Sequence, residues 1–107
     1  MGLFKRRYEK NVTRDNEFMK IYATKVHGLL MYTEENEKVT KELRAMMDDL
    51  QYTVASSSSA AKGFEKKIKK DFDALTKSLQ SLSWNENEVL TLIRNIRRYT
   101  VEIGAIR

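Results

Sequence analysis

The chain has 107 residues, with twenty Lys and Arg against fifteen Asp and Glu (formal net charge +5), and contains neither cysteine nor proline. Without cysteine, disulfides, thiolate metal sites and a cysteine nucleophile are excluded. No apolar run approaches the roughly 20 residues that cross a bilayer. Proline ends or kinks helices, so a chain without it can be helical almost throughout, and 33% charged residues interleaved with Leu, Ile, Val and Met fit helices with one wet face.

The chain opens with Met1-Gly2-Leu3-Phe4-Lys5-Arg6-Arg7, which is basic but leads into no apolar stretch, so it does not read as a secretory signal. Arg6 stands where a myristoylation signal needs Ser or Thr. Residues 1–11 are expected to form a mobile basic terminus, and the expected compartment is the cytoplasm. The segment Leu3 to Tyr8 mixes apolar and basic side chains as surface-membrane anchors do. It is too short to hold a bilayer alone, and no membrane role is expected.

A first helix is expected from near Val12 or Thr13 to Val54. A 3-4 spacing runs through Tyr22, Val26, Leu29, Thr33, Asn36, Thr40, Leu43, Met47, Leu50 and Val54, apolar at its ends and polar in its middle. One reading is a single helix of about 60 Å with a polar layer at Thr33, Asn36 and Thr40. The other is a break around Met31 to Thr33, with Thr33 capping a second helix and Glu34 and Glu35 in its first turn. No Gly, Pro or Asp-Gly pair marks a turn there, which favours the unbroken helix.

A serine-rich turn is expected over 55–62, where four consecutive serines compete for backbone hydrogen bonds. Ser59 is placed to cap a second helix over roughly 61–82, with Phe64, Ile68, Phe72, Leu75, Leu79 and Leu82 on one stripe. In Leu82-Ser83-Trp84-Asn85-Glu86-Asn87-Glu88-Val89, both Ser83 to Glu86 and Asn85 to Glu88 have capping-box spacing. The Asn85 option also makes Trp84 and Val89 a hydrophobic staple. A last helix therefore starts near Glu86 and runs to about Ile103, burying Val89, Leu92, Ile93, Ile96, Tyr99, Thr100 and Ile103, with Gly104 as its stop. No internal repeat at solenoid periods is visible.

The expected fold is a single all-α domain, an antiparallel helical hairpin or bundle with one long N-terminal helix packed on two shorter ones. A four-helix up-down bundle is the alternative if the break near Met31 is real.

His27 is the only histidine. No carboxylate sits at helical spacing to assist it, so it reads as a surface or boundary residue rather than a ligand or a base. Ser56 to Ser59 lack a nucleophile context. The pairs Asp48-Asp49 and Asp71/Asp73 lack the Glu-x-x-His pattern of a di-metal bundle, and there is no glycine-rich phosphate loop. These features point away from an enzyme, a cofactor, a metal or a small-molecule substrate.

The expectation is a non-enzymatic interaction or assembly module that binds a protein partner or itself. Met19, Leu30, Val39 and Met46 lie off the main stripe and form the expected partner interface, because a hairpin with one long helix would leave them uncovered. The alternative is a basic nucleic-acid accessory protein using Lys66, Lys69, Lys70, Arg94, Arg97 and Arg98, whose two clusters share a face if their helices pack antiparallel.

Overall fold

A computed structural model describes residues 17–54 and 58–106. The helices in chain order are α1 over residues 17–29, α2 over Glu37–Tyr52, α3 over Ser59–Gln80 and α4 over Glu86–Ala105, with one 3₁₀ turn at Leu30–Tyr32. The expected basic terminus, residues 1–11, lies outside the described residues, as do 55–57 of the serine-rich turn.

The break near Met31 is real, so the four-helix alternative forms and the long first helix does not. After Leu29 the backbone tightens into the 3₁₀ turn, and Thr33 leaves helical geometry at φ −117° and ψ 9°. Thr33 N–H donates to Leu30 O at 3.1 Å and Asn36 N–H to Thr33 O at 2.8 Å. The Thr33 and Thr40 hydroxyls share a hydrogen bond of 2.9 Å, and Thr40 Oγ1 also donates to Thr33 O. Thr33 is therefore part of the turn rather than the cap. The cap is Asn36, whose Oδ1 accepts from Val39 N–H at 3.0 Å, with Glu37 in the first turn beside the positive end of the helix dipole.

The second turn matches its sequence signals more closely. Asn85 Oδ1 accepts from Glu88 N–H at 2.9 Å, Trp84 packs half-buried against the core, and Val89 is fully buried. The capping box is one-sided, because the Glu88 carboxylate accepts from Ser78 Oγ at 3.1 Å. Leu82 departs from its expected stripe: α3 ends at Gln80 and leaves Leu82 fully exposed. Ser58, not Ser59, caps α3, its side chain accepting from Ala61 N–H. Gly104 does not stop α4 either. It lies inside the helix with no positive φ, and a Cβ added there would stand 3.3 Å from Thr53 Cγ2, so its small size lets α4 approach the end of α2.

α1 and α2 form one antiparallel hairpin, and Lys20, Thr24 and His27 line a groove with Met47 and Gln51 between them. α3 and α4 form another, with Ser78 against Glu88 near the turn and the Phe64 and Tyr99 rings 6.2 Å apart at the far end. The hairpins lie side by side with like helices parallel. Tyr22 packs edge-on to Phe72 at 5.0 Å between α1 and α3, and Asn36 Nδ2 donates to Glu86 Oε1 at 2.7 Å between α2 and α4. The consecutive helices α2 and α3 make few direct contacts. Both hairpin turns consequently sit at one end of the bundle.

This arrangement builds the core. Leu43, Met46 and Leu50 of α2 are buried as Ile93, Ile96 and Thr100 of α4 are, and the residues between them alternate identically between half-buried and exposed. Thr33 and Thr100 are the buried polar residues among those described. Thr100 Oγ1 donates to Ile96 O at 2.8 Å, and Thr33 bonds within its turn, so neither hydroxyl is stranded in the apolar interior. Of the expected inward residues, Val54 is exposed while Leu92 and Tyr99 are half-buried.

Candidate interaction surface

The expected partner interface does not lie on the surface. Met19, Val39 and Met46 are 1%, 0% and 0% exposed, and Leu30 is half-buried against the core. An unbroken helix would have left these residues on an uncovered second face. The turn at 30–36 folds the two halves of that helix against each other, and the second face becomes interior.

The two basic clusters lie on the paired helices α3 and α4. Lys66, Lys69 and Lys70 are exposed on α3. Arg94, Arg97 and Arg98 instead border a small concavity beside α2, together with Asp49 and Val101. Arg97 is occupied: its Nε donates to Asp49 Oδ2 at 2.7 Å and its Nη1 to Glu42 Oε2 at 3.1 Å. The hydrogen bond to Asp49 is the main cause of its raised pKa, opposed by burial and helped by the Asp49 and Glu42 charges. Because all three side chains are near one-third exposed, the network contributes at most about 1 kcal/mol. Between α3 and α4, Lys67 Nζ stands 5.3 Å from the Phe64 ring and 5.7 Å from that of Tyr99. Arg98 Cζ lies 5.4 Å from the Tyr99 ring, so the antiparallel packing brings Lys67 of α3 and Arg98 of α4 to the same aromatic pair.

His27 is exposed on the α1/α2 groove. Among the described residues, no group of His, Asp and Glu side chains could hold a metal ion, and no helix is long and apolar enough to cross a membrane. On the other side of α1, Tyr22 packs between Phe18 and Phe72 beneath the Lys25 ammonium, 4.8 Å above its ring. Burial, then the Asp73 charge, raises the Tyr22 pKa and keeps the phenol neutral.

The exposed large apolar side chains fall toward the two ends of the bundle. Met31, Tyr32 and Leu82 belong to the turn end, while Ile21, Tyr52, Val54 and Val101 lie toward the other. At the turn end Met31, Tyr32 and Trp84 border an open concavity with Glu34, Glu35 and Asn36. At the other end Val101 borders the arginine concavity, and the contact of Gly104 with Thr53 places Tyr52 and Val54 beside the end of α4.

Charge divides the same way. Residues 30–38 and 81–88, at the turn end, carry Glu34, Glu35, Glu37, Glu86 and Glu88 against Lys38, a net of −4. At the other end residues 58–67 carry Lys62, Lys66 and Lys67 against Glu65, while Arg94, Arg97 and Arg98 lie near the middle of α4 beside α2. This polarity is hidden in the sequence, because it emerges only when the break at 30–36 brings the two turns together.

No protein-family model, curated protein or solved structure matches this chain.

Proposed function

We propose that this chain is a non-enzymatic helical assembly module of the cytoplasm that associates with copies of itself and needs no cofactor or small-molecule substrate. The observation that carries this reading is the grouping of exposed apolar side chains. Met31 is 67% exposed, Leu82 is fully exposed, and Tyr52, Val54 and Val101 are between 63% and 75% exposed, all near the ends of the bundle. Isolated surface apolar residues are ordinary, whereas grouped ones bordered by charge suit protein–protein contact. The test is the molar mass by light scattering over a rising concentration series. Mass that increases with concentration supports the proposal, and a constant monomer mass to millimolar chain contradicts it.

One observation favours a second reading, in which the chain is a nucleic-acid accessory protein. Lys67 and Arg98 flank Phe64 and Tyr99, with Lys66, Lys69 and Lys70 exposed on the same helix as Lys67. Cations interleaved with aromatic rings suit a single strand. Against it, Arg97 is held by two carboxylates. Anisotropy of a labelled oligonucleotide decides: this reading requires binding at low salt that weakens steeply as salt rises.

A further inference from the structure

The concavity at the turn end draws on both turns and combines three chemistries. Met31 gives it an apolar edge, Tyr32 and Trp84 give it aromatic rings, and Glu34 and Glu35 give it exposed carboxylates. We propose that this concavity takes the basic and apolar segment Leu3 to Tyr8 of a second copy of the chain. This inference rests on the self-association reading and names its surfaces.

Carboxylates beside aromatic rings suit an arginine, whose planar guanidinium stacks on a ring while its N–H groups donate to a carboxylate. Among the described residues the ion pairs are those of Arg97, so neither Glu34 nor Glu35 has a cation of its own there. The surrounding turn end, at a net of −4, adds to the demand for positive charge. Leu3-Phe4-Lys5-Arg6-Arg7-Tyr8 supplies it, with three consecutive cations between two apolar residues and a tyrosine, and no carboxylate among the six. The exposed lysines of α3 match the charge alone, because the large apolar residues of that helix pack on the core. The segment comes from another copy because a chain's own concavity lies at the limit of reach. α1 starts at residue 17, at the end of the bundle away from the turns, and the path from there to Tyr32 covers about 25 Å at helical rise. Residues 9–16 would span at most about 29 Å when fully extended, which leaves little for the passage around the helices. A second copy imposes no such extension.

The test uses the full chain, whose lack of cysteine allows a single nitroxide label at Gly2→Cys. The labelled chain is mixed with ¹⁵N wild-type chain, and the NMR signals of the latter are compared with the label active and reduced. The expected result is broadening of the Met31, Tyr32, Glu34 and Glu35 amides and of the Trp84 indole N–H. Only a contact between copies gives this, because label and isotope sit on different chains. In Glu34→Gln/Glu35→Gln, with equal helix content by circular dichroism, the broadening should fade. Light scattering of that variant should show association at least about fivefold weaker, the scale of losing exposed ion pairs. Suppose the wild-type mass rises with concentration, but the broadening is absent from the turn end or unchanged in the double variant. That result overturns this contact and leaves self-association standing. A wild type that stays monomeric to millimolar chain overturns both.

Discussion

α2 and α4 bury the same pattern of positions with largely different residues, and the two hairpins close their turns by different means. Leu43, Met46 and Leu50 correspond in burial to Ile93, Ile96 and Thr100. The first turn is held by a knot of side-chain and backbone bonds: Thr33 and Thr40 lock together, and Asn36 both caps α2 and reaches across to Glu86 of the second hairpin. The second turn is a simpler joint, a serine stop in which Ser81 Oγ donates to Ser78 O at 2.7 Å, followed by the Asn85 cap. Interchangeable apolar side chains can thus fill equivalent core positions, while turn placement depends on a few polar groups with defined partners. The first turn also braces one hairpin against the other, and the second does less of this.

The largest effect should come from the equivalent core positions. Leu43→Ala and Ile93→Ala each remove a fully buried side chain, and each should cost about 2–5 kcal/mol in denaturant unfolding. Similar losses would sharpen the equivalence of α2 and α4. A loss confined to one of them would break it.

The next effect separates the turns. Asn85→Ala removes a cap and should cost about 1 kcal/mol. Asn36→Ala removes a cap and the bond to Glu86, and should cost about 1 kcal/mol more, since that bond is charge-assisted and half-buried. Equal losses, measured by thermal and urea unfolding, would mean that the first turn does not brace the second hairpin.

Smaller gains are expected from glycine. Gly28 and Gly63 sit on helices, one in each hairpin, and a Cβ at either meets open space. Gly28→Ala and Gly63→Ala should each stabilise the fold by about 0.5–1 kcal/mol. Gly104→Ala should gain less, because its Cβ presses on Thr53.

The smallest effect is pH-dependent. Burial raises the Glu65 pKa, with Lys62 partly opposing. The folded state therefore binds this proton more tightly than the unfolded state, so the stabilisation is complete below the unfolded pKa and is lost as pH rises through the folded one. Glu65→Gln should unfold at a slightly higher temperature than the wild type at neutral pH and at the same temperature in acid. A gain that persists in acid would point to packing instead.

Much of this architecture is legible in the residues themselves. Helix content, the α4 start at Asn85 and the stripe Ile68, Phe72, Leu75, Leu79 need only periodicity and capping chemistry. The break at Thr33 is harder to see, because Thr33, Asn36 and Thr40 fit both a polar layer in a continuous helix and a hydroxyl-laced turn. What separates the two is a contact outside the local sequence, the bond from Asn36 to Glu86. The same ambiguity misplaced the expected interface. Met19, Val39 and Met46 look uncovered on a straight helix and become core once it folds back. The acidity of the turn end was unreadable for the same reason, since Glu34 and Glu86 are distant in sequence and reach the same end only after folding.

The bundle, its core and its acidic turn end all depend on the chain turning back at Thr33, and the absence of cysteine makes that directly measurable. Lys20→Cys and Gln51→Cys, both on the α1/α2 groove, can carry paired spin labels for a distance measurement by pulsed electron resonance. A folded hairpin sets the labels about 10–20 Å apart, the spacing of packed neighbouring helices plus their tethers. An unbroken helix would hold them about 46 Å apart at 1.5 Å per residue. The short distance is the predicted result for the four-helix bundle and its acidic turn end, and the long one contradicts both.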